Sequence, residues 1–163
     1  MRPATNATTI GEGATRRGDW AGRTAVRPYK PVVGLIVSDH ASSTVTVVPL
    51  TDVTETPLPN GSWNRLALTR ETVPGIVSSL GYSVFKPGTV LQMVSHDVEE
   101  VAFVIAGSGE LRLDDGAVPF AAGQALHIPP HLWHAVANTG DEDVIMVFGF
   151  PYPAFPPTER RGT

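Results

Sequence analysis

The feature that most constrains this chain is its punctuation. Between residues 59 and 140 the apolar runs are cut by Pro59-Asn60-Gly61, Pro87-Gly88, Gly107-Ser108-Gly109, Asp114-Asp115-Gly116, Gly123, Pro129-Pro130 and Asn138-Thr139-Gly140. Proline removes a backbone donor and fixes φ, and glycine and asparagine open positive φ, so each break ends a regular element. What remains between them is short and rich in Val, Ile, Leu and Phe. Segments 31–37, 44–49, 64–69, 80–86, 90–95, 101–106, 109–113, 117–120, 124–128, 132–137 and 143–150 are predicted strands. Asp115-Gly116 predicts a tight hairpin with a primed turn. The one helical candidate, 70–79, contains Pro74 and Gly75 and can hold a turn or two. Many short strands at regular spacing imply an all-β sandwich or barrel, and periodicity does not choose between them.

The two ends read differently. Residues 1–28 form an irregular arm without apolar period, and residues 1–30 hold six of the twelve basic residues against only Glu12 and Asp19. No basic–aromatic interleaving accompanies that charge, so nucleic-acid binding is not expected, and the arm is read as solvated or lying on an acidic barrel. Residues 29–150 are the predicted β domain, and 151–163 a Pro-rich extended tail. No apolar run approaches the roughly 20 residues of a membrane span, and no signal-like h-region follows the first arginines, so the expectation is a cytoplasmic protein without membrane contact. With 163 residues the chain can bury a core without staples. It contains no cysteine, so any metal would have nitrogen and oxygen ligands.

Three residues form a candidate centre. Glu100 follows His96 by four positions, which in a continuous strand places both on one face. His134 lies one or two strands later. Two imidazoles and a carboxylate suit a divalent first-row ion and leave one side open; the same residue types are also common on surfaces. Gln92 and Val94 share the strand face of His96, with Gln92 read chiefly as a polar residue lining a wet pocket. His131 is read as an exposed turn histidine with some access to the centre, and Phe103 as barrel lining. His127 is read as structural or surface, His40 as solvated, Arg65 and Arg70 as exposed.

The flanking residues carry a family resemblance. Gly88, five residues, Val94, one residue, His96, three residues, Glu100, six residues and Gly107 resemble the first cupin motif. Gly123, five residues, Pro129, one residue, His131, two residues, His134, three residues and Asn138 resemble the second. The resemblance covers roughly 80–150 and implies an antiparallel jelly-roll barrel of six to eight strands with a metal inside, often in a homodimer. Val94 stands where the family has its first histidine, and His131 where it has a glycine. The resemblance then implies His96, Glu100 and His134 as a three-residue ligand set for one divalent ion, iron first, with zinc, nickel or manganese also compatible.

The expected activity follows from that set. With iron it is an oxidoreductase, a dioxygenase-type tailoring of a small molecule. With a non-redox ion it is a cyclase, isomerase or lyase, as in the natural-product polyketide cyclases this chain resembles. A non-catalytic small-molecule binder, or a relic in which Val94 marks metal loss, are the remaining classes. No residue is assigned as general base.

Overall fold

The computed structural model describes residues 45–161. The readings made above for the arm at 1–28, the strand at 31–37 and His40 lie outside the described residues. Eleven strands follow in chain order: β1 Thr56–Pro57, β2 Trp63–Leu68, β3 Ser79–Phe85, β4 Val94–His96, β5 Glu100–Ala106, β6 Ser108–Leu113, β7 Gly116–Ala121, β8 Ala125–Ile128, β9 His134–Ala137, β10 Val144–Phe150 and β11 Thr158–Arg160. They form a six-stranded sheet ordered β1-β2-β3-β10-β5-β8 and a five-stranded sheet ordered β11-β4-β9-β6-β7. Every pairing between strands is antiparallel. From β3 onward the chain keeps crossing between the sheets, which is the winding of a jelly roll. The strand count exceeds the expected six to eight: β1 and β11 add short edges, and nine strands lie between them in the chain. Among the described residues no helix is long and apolar enough to cross a membrane.

Alternation decides what faces inward. In β5, Ala102 and Val104 are buried while Val101, Phe103 and Ile105 are about half exposed. Phe103 therefore lies on the outer face and does not line the barrel; its register opposite Val147 and Ala125 places it outside. One core cluster joins Phe85, Val104, Leu111, Phe120, Ile128, Val144 and Met146. A second joins Ala102, Phe148 and Phe150. Each large side chain buried there contributes roughly 1.5–3 kcal/mol.

Several breaks act as their chemistry predicts. Gly107, between β5 and β6, has φ +76°, and a Cβ there would lie 2.5 Å from the Asp143 carbonyl oxygen, so no other residue fits. Four sequence readings need correction. Residues 45–49 form no strand, because Val45 and Val47 are 92% and 82% exposed and have no face to bury. Residues 70–78 hold no more than turns and bends, as Pro74 and Gly75 implied, and Ser79 already opens β3; Thr72 Oγ1 donates to the Ala67 carbonyl and accepts from the Thr69 N–H, a local alternative to a helical ladder. The β6–β7 hairpin pairs Leu113 with Gly116, so its two turn residues are Asp114 and Asp115, and neither has positive φ. The Pro-rich tail, expected to be extended, bends throughout 151–155 and then over Thr158–Arg160 pairs with β4 as the edge of the smaller sheet. Arg70 is exposed as read, whereas Arg65 is half-buried, donating to the Leu50 carbonyl at 2.8 Å and pairing with Glu55 at 3.1 Å.

Candidate metal centre

His96 closes β4 and Glu100 opens β5, so the two residues belong to different sheets. The spacing of four does not arise from one strand face, as the sequence suggested. Asp97, Val98 and Glu99 carry the chain across, and the crossover brings the carboxylate back toward the imidazole. His134 opens β9 and sits directly across from Val94 of β4. The result is a convergence of three side chains. Glu100 Oε2 lies 3.5 Å from His96 Nε2 and 3.3 Å from His134 Nε2. One ligand atom from each of the three lies within 4.8 Å of the others, a distance that one ion can bridge. Both histidines are buried, and the His96 ring meets Phe150 edge-on at 5.1 Å.

The hydrogen bonds behind the rings fix what the rings present. His134 Nδ1 lies 2.8 Å from the Leu132 carbonyl oxygen, which can only accept, so Nδ1 carries the hydrogen. Thr158 Oγ1 donates its hydrogen to the Pro156 carbonyl at 2.8 Å and is left to accept from His96 Nδ1 at 2.9 Å. In the neutral rings both Nε2 atoms then carry lone pairs, and both point at a carboxylate oxygen. With neutral rings, three acceptors face one another, and either a proton on one Nε2 or a cation between the three reconciles them. Nitrogen and oxygen ligands about 2.0–2.2 Å from one ion would be separated by roughly 3.0–3.5 Å, which fits the observed spacings.

The titration behaviour has the same origin. Burial works to raise the Glu100 pKa, but hydrogen bonding to His134 and His96 outweighs it and holds the carboxyl below its ordinary value. Burial works to lower the His134 pKa, yet the Glu100 carboxylate and the Leu132 carbonyl together raise it.

The centre opens into a cavity of about 600 Å³ between the sheets. Val94 and Gln92 are in its wall, although β4 starts only at Val94, so Gln92 reaches the wall from irregular chain and not from the strand expected over 90–95. Gln92 donates its amide N–H to the Arg161 carbonyl at 2.6 Å, tying β11 down. His131 is not in that wall: its side chain is 72% exposed, and its nearest charged neighbour is Asp97 at 3.9 Å. Its backbone explains its position. With φ +63° it adopts the conformation that the family's glycine provides, while its N–H donates to the His96 carbonyl at 2.8 Å. His127 is on the surface against Glu99, as read. Trp133 packs beneath Arg161, with the guanidinium 3.9 Å from the ring centroid.

Sequence reasoning missed the contribution of the tail. Phe155, Pro156, Thr158 and Arg160 all line the cavity. The only signal for them was Thr-Glu-Arg following two prolines, whose alternation puts Thr158 and Arg160 on one face. Thr158 has a testable role. Thr158→Val keeps the shape and removes the acceptor behind His96, so divalent-ion affinity should fall roughly ten- to a hundredfold, with the circular-dichroism spectrum unchanged. Unaltered affinity in a metal titration would show that the ring needs no such support.

Comparison with known proteins places this architecture. Residues 81–150 match the cupin domain family. The chain is similar to protein SchB of Streptomyces halstedii, 36% identical over 85 residues, covering 52% of this chain and 62% of that protein. It is similar to polyketide synthase CurC of Streptomyces cyaneus, 35% identical over 85 residues, covering 52% of this chain and 55% of that protein. The chain thus aligns with little more than half the length of these curated relatives. Among solved structures it shares its fold with the polyketide cyclase RemF of Streptomyces resistomycificus, at 18% identity and a TM-score of 0.62, covering 74% of this chain and 87% of that one. Both motifs fall within the jelly roll, and residues 81–150 of this chain match the cupin domain.

Proposed function

We propose that this chain is a metal-dependent enzyme that closes a ring on an oxygenated small molecule in natural-product tailoring, with His96, Glu100 and His134 holding one divalent ion. The observation that carries the reading is the double commitment of the imidazoles: each Nδ1–H is held from behind, so each Nε2 lone pair faces the Glu100 carboxylate. Ring closure is favoured over other metal chemistry because a curated relative at 35% identity is named a polyketide synthase and a structure of the same fold is a polyketide cyclase.

A bound ion would supply Lewis-acid polarisation of a substrate carbonyl. The chain's own residues do the rest. Phe148, Phe150 and Phe155 form an aromatic wall that keeps water from the reacting body. A cavity of about 600 Å³ accommodates a multi-ring molecule. Glu100 is a poor proton acceptor, because two imidazoles already stabilise its charged form; its role is to neutralise the ion and fix its position. The test is elemental analysis of protein purified without chelator, followed by turnover of an uncyclised polyketide analogue. Near-stoichiometric metal with a cyclised product supports the proposal. A chain that carries no metal and gains none on titration would falsify it.

One observation favours a second reading. Val94 stands in the wall where a fourth ligand would project, leaving a two-histidine, one-carboxylate set of the kind that iron oxygenases use. Oxygen consumption with iron(II) and substrate would select that reading. Val94→His separates the two. A fourth imidazole should tighten ion binding about tenfold or more; it should suppress oxygen chemistry, which needs the extra open positions, and leave carbonyl polarisation largely intact.

A further inference from the structure

We infer that Arg160 makes the cavity selective for a substrate that carries a carboxylate on a flat apolar body. The inference rests on reading this cavity as the substrate site. Its basis is the register of the smaller sheet. Arg160 of β11 is paired with Val94 of β4, and Val94 with His134 of β9, so the three lie in one row across adjacent strands. Directly paired residues share a face, and all three line the cavity. Among the described residues Arg160 is the only Lys or Arg in that wall.

Its neighbours leave it available. Arg161 is committed to Asp114 and to the face of Trp133. Gln92 holds the Arg161 carbonyl. These contacts fasten the strand and present Arg160 on the opposite side of it. Among the described residues no carboxylate pairs with Arg160, whereas Arg65, Lys86, Arg112 and Arg161 each have one. A guanidinium offers paired N–H groups in a planar fork, the match for a carboxylate.

Val94 gives the position its meaning. Lacking the family's imidazole, this stretch of wall is apolar between the guanidinium and the histidine. A carboxylate lying over Val94 would have Arg160 on one side and the His96–Glu100–His134 centre on the other. The aromatic side chains Phe148, Phe150 and Phe155 would cover the body of the molecule.

The test uses the full chain, 2-naphthoate, and its neutral counterpart 2-naphthamide, titrated calorimetrically with chelator-stripped and with metal-loaded protein. Stripped wild-type protein should prefer the naphthoate about tenfold or more. Arg160→Gln should weaken naphthoate binding roughly ten- to a hundredfold, leave naphthamide within about twofold, and erase the preference. Arg160→Lys should restore part of it, since charge without the fork remains. An unchanged preference in Arg160→Gln would overturn the inference, as would a preference that exists only with metal bound, or an absence of binding of either probe. A chain that takes up no metal yet shows the Arg160-dependent preference would defeat the proposed function and leave the selectivity standing.

Discussion

Glu100→Ala is expected to abolish metal retention, with bound ion falling below about a tenth of the wild-type content. The carboxylate is the only anionic member of the set, and without it two neutral imidazoles must hold a doubly charged ion unaided. The response to added metal is what separates this from simple damage. In the metal-free protein Glu100 Oε2 faces the two imidazole nitrogens at 3.3 and 3.5 Å, and the carboxylate and His134 stabilise each other's charged forms. Removing the carboxylate loses that pairing, so metal-free Glu100→Ala should melt somewhat below metal-free wild type. With metal added the two diverge further. An ion at a thousand times its dissociation constant stabilises the fold by about 4 kcal/mol. For a domain of this size that raises the melting temperature by on the order of 10 °C. Wild type should show this rise and Glu100→Ala should not. Equal rises in a thermal melt would mean the ion sits elsewhere, and the ligand set would be wrong.

How much of this was legible in the sequence follows from which forces are local. Most strands from β2 to β10 were readable because turn residues separate apolar runs, and both are properties of a few adjacent residues; β4 is the exception in length, covering Val94–His96 where 90–95 was expected. His96, Glu100 and His134 were readable as a set because the motif spacing preserves the lengths of the strands and crossover that bring them together. The reason first offered for the His96–Glu100 pair was a single strand face. The observed reason is a change of sheet at Asp97–Glu99, which periodicity cannot report. Phe103 was misplaced for a similar cause. An apolar residue in a strand of apolar residues has no local mark of inside or outside, and only the partner strands settle it. Thr158 and Arg160 were invisible because their importance comes from pairing with β4, more than 60 residues earlier. His131 shows the converse case. Its departure from a glycine was visible in the sequence, but its consequence, a positive φ in a residue whose side chain reaches solvent, needed the backbone.

Asn138→Ala is expected to cost stability on a scale of 3–5 kcal/mol, roughly 10–15 °C in melting temperature. Asn138 is 1% exposed and follows the last residue of β9. Its amide nitrogen donates to the Phe85 carbonyl at 2.7 Å and to the Glu142 carbonyl at 2.8 Å, while its oxygen accepts from the Gly140 N–H at 3.0 Å. Its backbone N–H donates to Thr89 at 2.8 Å, and its carbonyl accepts from Gly88 at 3.1 Å. One residue thus clips the end of β9, the end of β3 and the loop before β10 together. Alanine keeps the backbone bonds and leaves two carbonyls and an N–H without the amide that satisfied them, each worth about 1–3 kcal/mol when buried. Asn138→Asp discriminates packing from hydrogen bonding. It conserves volume, but an ionised carboxylate has no hydrogen to offer Phe85 or Glu142, so it should cost at least as much as alanine in a denaturant or thermal melt. A milder effect for aspartate would mean that the side chain's shape, and not its donor hydrogens, secures the junction. Because the clip lies at the opposite end of β9 from His134, the fraction of Asn138→Ala that remains folded should bind metal with wild-type affinity. That would place fold stability and ion binding at separate ends of one four-residue strand.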